Sequence, residues 1–311
     1  RSIWVTGVQT CALPICFLYL VKMGWGIPAG SIVFFQYPFH ARMTGLLLRL
    51  LRWRKSFSLV CIIADINGLK HGDALVLEKE KRMFRKYRHF IIHNEAMQNW
   101  LNSFIPAYGS AKLEFFDFLA RVSNEKRNKD SAIAFAGNLE KSPFLEKLHQ
   151  VIGSNPELRF NIYGQPVTQA MLQSPRVTYQ GVFDPYELPV KIAGSFGLVW
   201  DGEAIDEPGG SMGRYMEYIT HHKVSLYILS GLPVIIYENA GAAALVKKYR
   251  LGITIKNLFE MGEKIASVTT AEYDEMCNNC RMLAGIISTG GCLSAAYLEI
   301  INFIREEKNS N

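Results

Sequence analysis

From Phe17 onward two hydrophobic rhythms alternate along the chain. Short unbroken apolar runs, which read as strands buried on both faces, are separated by longer stretches whose apolar positions recur at helical spacing. SIVFFQYP, FSLVCIIADI and HFIIHN are runs of the first kind, and AKLEFFDFL reads as the last strand of the first half. HARMTGLLLRLLRWRKS, DALVLEKEKRMFRKY and EAMQNWLNSF are helical stretches. ARVSNEKRNKDSA then breaks the rhythm with charge and no period, as an interdomain linker does. The second half resumes with the strands IAFAGN, RFNIYG, RVTYQG, FGLVWDG, LPVIIY and GITI. Among them SPFLEKLHQVI, PYELPVKIAGS, MEYITHHKVSLYILS and AGAAALVKKYR read as helices, and GEAIDEPGGSMG as a Gly-rich loop. The tail from Thr270 is helical and ends in the amphipathic LSAAYLEIINFIREE.

Strand–helix alternation is the signature of βαβ units on a parallel sheet, so two such series predict two Rossmann-like α/β domains. The boundaries fall at 17–122 for the first domain, 123–131 for the linker, 132–288 for the second domain and 289–311 for a closing helix. In such sheets ligands bind beyond the carboxyl ends of the strands, which makes the cleft between two facing sheets the expected site.

The start of the chain stands apart. VTGVQTCALPI, Val5 to Ile15, is the in-frame translation of a synthetic adapter used in short-read DNA sequencing, and no Met opens the chain. Residues 1–16 are set aside from fold reasoning as non-native. The natural N-terminus is expected to be missing, and with it a strand or two of the first domain.

A length of 311 residues with 49% hydrophobic content suits two packed domains rather than a disordered chain. The net charge of +6 suits an anionic ligand or membrane surface but falls short of a nucleic-acid signature. No apolar run reaches the roughly 20 residues that span a bilayer. Of six cysteines only Cys277 and Cys280 form a CxxC, without a second ligand pair, so a reducing, cytoplasmic setting is expected rather than a zinc or redox site. The basic helix carrying Trp53 is a candidate for peripheral membrane contact, although a crossover helix covering a Rossmann sheet has the same pattern.

The densest candidate chemistry is YITHHKVSLYILSGLPVI, where Tyr218, Thr220, His221, His222 and Lys223 stand in front of an apolar helical run. The first turn of a helix offers unpaired N–H groups and a positive dipole end, which suit an anion. A solvated helix start with a chance basic cluster fits the residue types equally well.

FAGNLEKSPF, the VTYQG turn, GSFGLVWDG and YITHHKVSLYILSGLPVI follow one another in order. This set resembles the GT-B glycosyltransferases related to the third glucosyltransferase of the streptococcal serine-rich adhesin pathway, a group whose members are often labelled β-1,6-galactofuranosyltransferases. The resemblance spans roughly Ser31 to Arg305. It implies a GT-B fold with an incomplete first domain, and transfer of a hexose, glucose or galactofuranose, from a UDP-sugar to a glycan acceptor on a protein or lipid carrier. By the same resemblance Tyr218, Ile219, Thr220, His221, His222 and Lys223 grip the UDP, and Lys141 stands where relatives carry a basic UDP contact, often Arg. Gly137 and Asn138 would turn the backbone at the strand end, and Tyr163 would border the uracil or serve as a core tyrosine.

In the first half, IIADINGLK matches a segment that reads His-Asp in many relatives; here Ala64 replaces the His and Asp65 remains. Asp65 is the candidate to orient or deprotonate the acceptor hydroxyl, with an Asx turn or helix cap as the alternative. His93, Asn94, Glu95 and Ala96 match a donor- or acceptor-facing segment, and Asn94 also suits a plain N-cap. No DxD occurs, and no metal or other cofactor is expected, the charge of the departing UDP being met by protein donors. Glu207 and Glu217 lack the Glu-x7-Glu spacing of many retaining relatives, which leaves the stereochemistry open. Self-association is a property the resemblance allows. The rival readings are a degenerate GT-B partner subunit and a nucleotide-sugar epimerase or dehydrogenase; the latter needs a GxGxxG that this chain does not show.

Overall fold

A computed structural model describes residues 26–38, 45, 48–49, 51–52 and 57–310. The adapter-like segment 1–16 and the part of the basic helix that holds Trp53 lie outside the described residues.

In the first domain β1 (Ile32–Tyr37), β2 (Ser58–Ile63), β3 (His89–Ile92) and β4 (Gly109–Lys112) form a parallel sheet in that order. The crossovers include α1 (Asn67–His71), α2 (Ala74–Phe84) and α3 (Glu95–Asn102). The sequence pattern did not predict α1, a short helix whose start borrows a cap. The buried Glu80 of α2 accepts the amides of Asn67 and Gly68, both at 2.8 Å, and the Tyr37 hydroxyl. The expected strand AKLEFFDFL is realised only at its first two residues, Ala111 and Lys112. Glu114 adopts φ 59, a left-handed turn that takes the chain out of the sheet and sends Phe115 and Phe116 toward the second domain.

The second domain contains β5 (Ala132–Asn138), α4 (Leu148–Ser154), β6 (Arg159–Gln165), β7 (Val177–Gly181), β8 (Phe196–Val199), α5 (Gly210–Tyr215), α6 (His222–Leu229), β9 (Val234–Tyr237), α7 (Ala243–Lys248), β10 (Gly252–Ile255), α8 (Met261–Ser267) and α9 (Thr270–Ile287). Its strands are all parallel, in the order β10-β9-β8-β5-β6-β7, the doubly wound arrangement. Three sequence expectations change here. PYELPVKIAGS makes only a 3-10 turn at Leu188–Val190, since Pro185 and Pro189 withhold two helical donors. The Gly-rich loop contains α5, and MEYITHHKVSLYILS becomes helical only at His222.

The winding reverses between β5 and β8, which pair only through Ile133–Phe196 and Ala134–Gly197 before they separate. Tyr227 of α6 fills the fork. Its hydroxyl accepts the Ala136 N–H at 2.9 Å and donates to the Leu198 carbonyl at 3.1 Å. The ring packs so closely on Gly197 that a Cβ there would lie 2.2 Å from it. Position 197 therefore has to be glycine for α6 to reach the sheet.

The closing helix α10 (Gly291–Asn309) returns to the first domain. Ala296, Ile300 and Ile304 pack on Val60, Ile91 and Ala111 of the first sheet and on Leu113 just past β4. Its N-cap is Gly290, which has no side chain, so Asp117 of the first domain accepts the Cys292 and Leu293 amides instead. Residues 119–130 are irregular, but Arg127 is buried and donates to the Ser230 carbonyl. Cys277 and Cys280 are buried core residues of α9, and no group of three metal ligands occurs among the described residues. Among the described residues no single helix is long and apolar enough to cross a membrane.

Candidate active site

The carboxyl ends of β5 and β8 meet the mouth of α6 at one wall of a cleft cavity of about 350 Å³. Asp201, two residues past β8, is the organising charge there. Its Oδ1 accepts from Lys223 Nζ at 2.5 Å and from Ser142 Oγ at 2.9 Å, and its Oδ2 lies 2.7 Å from His221 Nε2. Burial disfavours its charge, but Lys223 and His221 outweigh that and hold the carboxyl well below the usual carboxylate range. Lys223 N donates to His221 Nδ1 at 3.1 Å, so the Nε2 of the neutral ring carries the proton given to Asp201. Burial and the nearby Lys223 ammonium lower the His221 pKa and keep that ring neutral. Lys223 also lies 4.6 Å from the Phe135 ring centroid.

Gly137 and Gly164 pair across β5 and β6 at φ 145 and φ 123, where L side chains are strained. A Cβ on Gly164 would sit 1.9 Å from the Gly137 carbonyl oxygen, and one on Gly137 would press on the Lys223 side chain at 3.2 Å. The strand ends are thus bare backbone over a buried lysine. Asn138 caps the short turn Leu139–Lys141 by accepting the Glu140 N–H. That turn brings the exposed Lys141 to the cavity, where it has no ion-pair partner among the described residues. Beyond Gly137 and Asn138 the cleft continues into a second cavity of about 630 Å³ that includes Tyr163, Gly164, Gln165, Pro166 and Phe183. Tyr163 is 2% exposed, and its hydroxyl accepts the Ala193 N–H.

The first domain supplies the facing wall. Asp65 follows β2, with Lys70 Nζ at 2.7 Å and the Tyr215 hydroxyl at 3.1 Å. Tyr215 also accepts the Ile66 N–H, so α5 fixes the loop that carries Asp65. His93 follows β3; its Nδ1 accepts the Thr220 N–H, and its buried Nε2 has no hydrogen-bond partner among the described residues. Burial pushes its pKa down to about 4, so it is a neutral ring. Phe116 stands edge-on to His93, with ring centroids 4.6 Å apart, and stacks on His222 at 3.9 Å.

Asp65, His93, Gly137, Asn138, Lys141, Ile219, Thr220, His221, His222 and Lys223 line the first cavity together, and Tyr163 lines the second. Tyr218, Asn94, Glu95 and Ala96 line neither. Tyr218 packs on the first-domain core, and Asn94 caps α3 through Met97 N while donating to Thr220 Oγ1 at 3.1 Å. Sequence reasoning missed Asp201, Ser142, Tyr215 and Phe116. Asp201 carried a signal, as an acid directly after the apolar run FGLVW.

The chain matches the glucosyltransferase 3-like C-terminal domain family over residues 133–300 and the glucosyltransferase 3-like N-terminal domain family over residues 19–103. It is 26% identical over 286 residues to the beta-1,6-galactofuranosyltransferase WbbI of Escherichia coli (strain K12), covering 90% of this chain and 82% of that protein. It is 30% identical over 117 residues to glucosyltransferase 3 of Streptococcus gordonii, covering 37% of this chain and 34% of that one. Sucrose-phosphate synthase from Thermosynechococcus elongatus shares the fold at TM-score 0.62 and 15% identity, over 98% of this chain and 82% of its own. Anabaena HepE, solved with UDP and glucose, does so at TM-score 0.60 and 13% identity, over 94% and 84%. The family match spans more than half of the chain, and the chain belongs to the glucosyltransferase 3-like family of GT-B glycosyltransferases.

Proposed function

We propose that this glycosyltransferase moves a hexose, glucose or galactofuranose, from a UDP-sugar to a glycan acceptor on a protein or lipid carrier. The observation that carries the reading is the pair of connected cavities that join bare strand-end backbone, a cation and a helix mouth to a carboxylate on the opposite domain. The diphosphate lies over Gly137 and Asn138, where no side chain of residue 137 stands in its way, with Lys141 free to meet its charge. The nucleoside extends into the second cavity between Tyr163 and Phe183, and the sugar points toward Asp65 and His93. Asp65, held by Lys70 and Tyr215, orients the acceptor hydroxyl or takes its proton.

In this reading the developing charge on UDP is met by Lys141 and the α6 mouth, with no metal. WbbI is named a galactofuranosyltransferase and the streptococcal relative a glucosyltransferase, which supports a hexose without choosing between the two. Titration calorimetry on the 311-residue chain with UDP, with and without EDTA, tests the site. Saturable binding unchanged by EDTA is expected, and Lys141→Ala should weaken it roughly tenfold to a hundredfold, as loss of a charge-assisted bond does. A chain with no affinity for any uridine nucleotide overturns the reading.

A further inference from the structure

A second charged depression lies on the outer helical layer of the first domain. A groove of about 480 Å³ runs between the helical residues Arg49 and Arg52 and the later turns of α2. Lys79, Arg82 and Lys86 enter it at helical spacing, and Tyr87, 7% exposed, lies beneath. Because α2 starts at the carboxyl end of β2 and runs back along the sheet, its last turns sit at the end away from the cleft.

Five cations converge here, and among the described residues no carboxylate lines the groove. The acids of α2 are engaged elsewhere: Glu78 pairs with Lys81, and Glu80 is buried under α1 and Tyr37. Like charges from two elements around one depression repel unless an anion sits among them. The stripe continues along α2 to Leu75, one turn before Lys79 and 76% exposed.

We propose that this groove seats the phosphate headgroups of an anionic bilayer and docks the first domain on the membrane. A free phosphate would satisfy the cations but would leave Leu75 in water. A bilayer takes both, with phosphates on the basic stripe and the apolar side chain at the headgroup boundary. The proposal stands apart from the donor site, so its failure would leave that reading intact.

Co-sedimentation with phosphatidylcholine vesicles, with and without phosphatidylglycerol, tests it. The chain should partition onto the anionic vesicles alone and be released as salt rises. Lys79→Glu/Arg82→Glu/Lys86→Glu should lower partitioning on the order of 100-fold while UDP affinity and the circular dichroism spectrum stay unchanged. Should that variant misfold, Lys86→Gln, beyond the end of α2, should still cost roughly fivefold. Equal partitioning onto neutral vesicles, or undiminished binding by the folded charge-reversed chain, overturns the proposal. So does inorganic pyrophosphate raising the melting temperature through these residues with no vesicle binding, or tighter retention on duplex DNA than on the vesicles.

Discussion

Lys223 shows how far a residue's type and its surroundings can diverge. In the sequence it is a cation at a helix start, ready for phosphate. In the fold it is 6% exposed and committed to Asp201, while Lys141, three residues past β5, is among the described residues the cation left open to the cavity. The sequence could not reveal this, because Asp201 and Lys223 lie on different elements and meet only once β8 and α6 are packed. The partners of Thr220 were hidden for the same reason: His93 and Asn94 come from the other domain. The two lysines should therefore fail differently. Lys223→Met leaves the Asp201 charge buried with only His221 and Ser142, and should cost about 3–5 kcal/mol in urea unfolding. Lys223→Met/Asp201→Leu removes both charges and should recover part of that loss. A double variant no more stable than the single one would show that the pair is not energetically coupled.

At the scale of elements, most strands of the second domain were legible because they are short, largely apolar segments bounded by Gly, Pro or charge. IAFAGN, RFNIYG and GITI fall on β5, β6 and β10. Helices were less legible where two elements share one apolar stretch. MEYITHHKVSLYILS has helical spacing throughout, yet its first half packs as an irregular crossing between the domains, with Tyr218 and Ile219 on the first-domain core. The fork of β5 and β8 left no periodic trace either, since it depends on Gly197 opposite Tyr227. That contact yields a sharp expectation. Tyr227→Phe keeps the packing but strands the Ala136 N–H and frees the Leu198 carbonyl, which should cost about 1–3 kcal/mol. Since those two groups sit at the cleft end of the sheet, UDP affinity should fall along with the urea midpoint. A Tyr227→Phe chain with full stability would mean that the hydroxyl is not what holds the fork.

At the scale of the molecule, the linear order of domains misstates which parts depend on one another. The closing helix follows the second domain in sequence, yet Ala296, Ile300 and Ile304 cover a face of the first sheet. Asp117, from the first domain, caps that helix in return. The amphipathic pattern announced a packed helix but could not name the sheet it packs on, because an apolar stripe fits any apolar face. One consequence is cooperativity between the halves: Val60, Ile91 and Ala111 stay dry only while the far end of the chain is folded over them. Ile300 is fully buried, so Ile300→Asp places an unpaired carboxylate against that face. The first domain should then lose its cover while the second keeps its own core. Differential scanning calorimetry should show one transition for the native chain and two for Ile300→Asp, the earlier one belonging to the first domain. Transfer activity should disappear with that earlier transition, because Asp65 and His93 sit on the domain that melts, whereas UDP binding by the second domain should persist above it. A single transition shifted as a whole would instead mean that the interface across the cleft, through Thr220, Tyr215 and Phe116, already binds the domains into one cooperative unit.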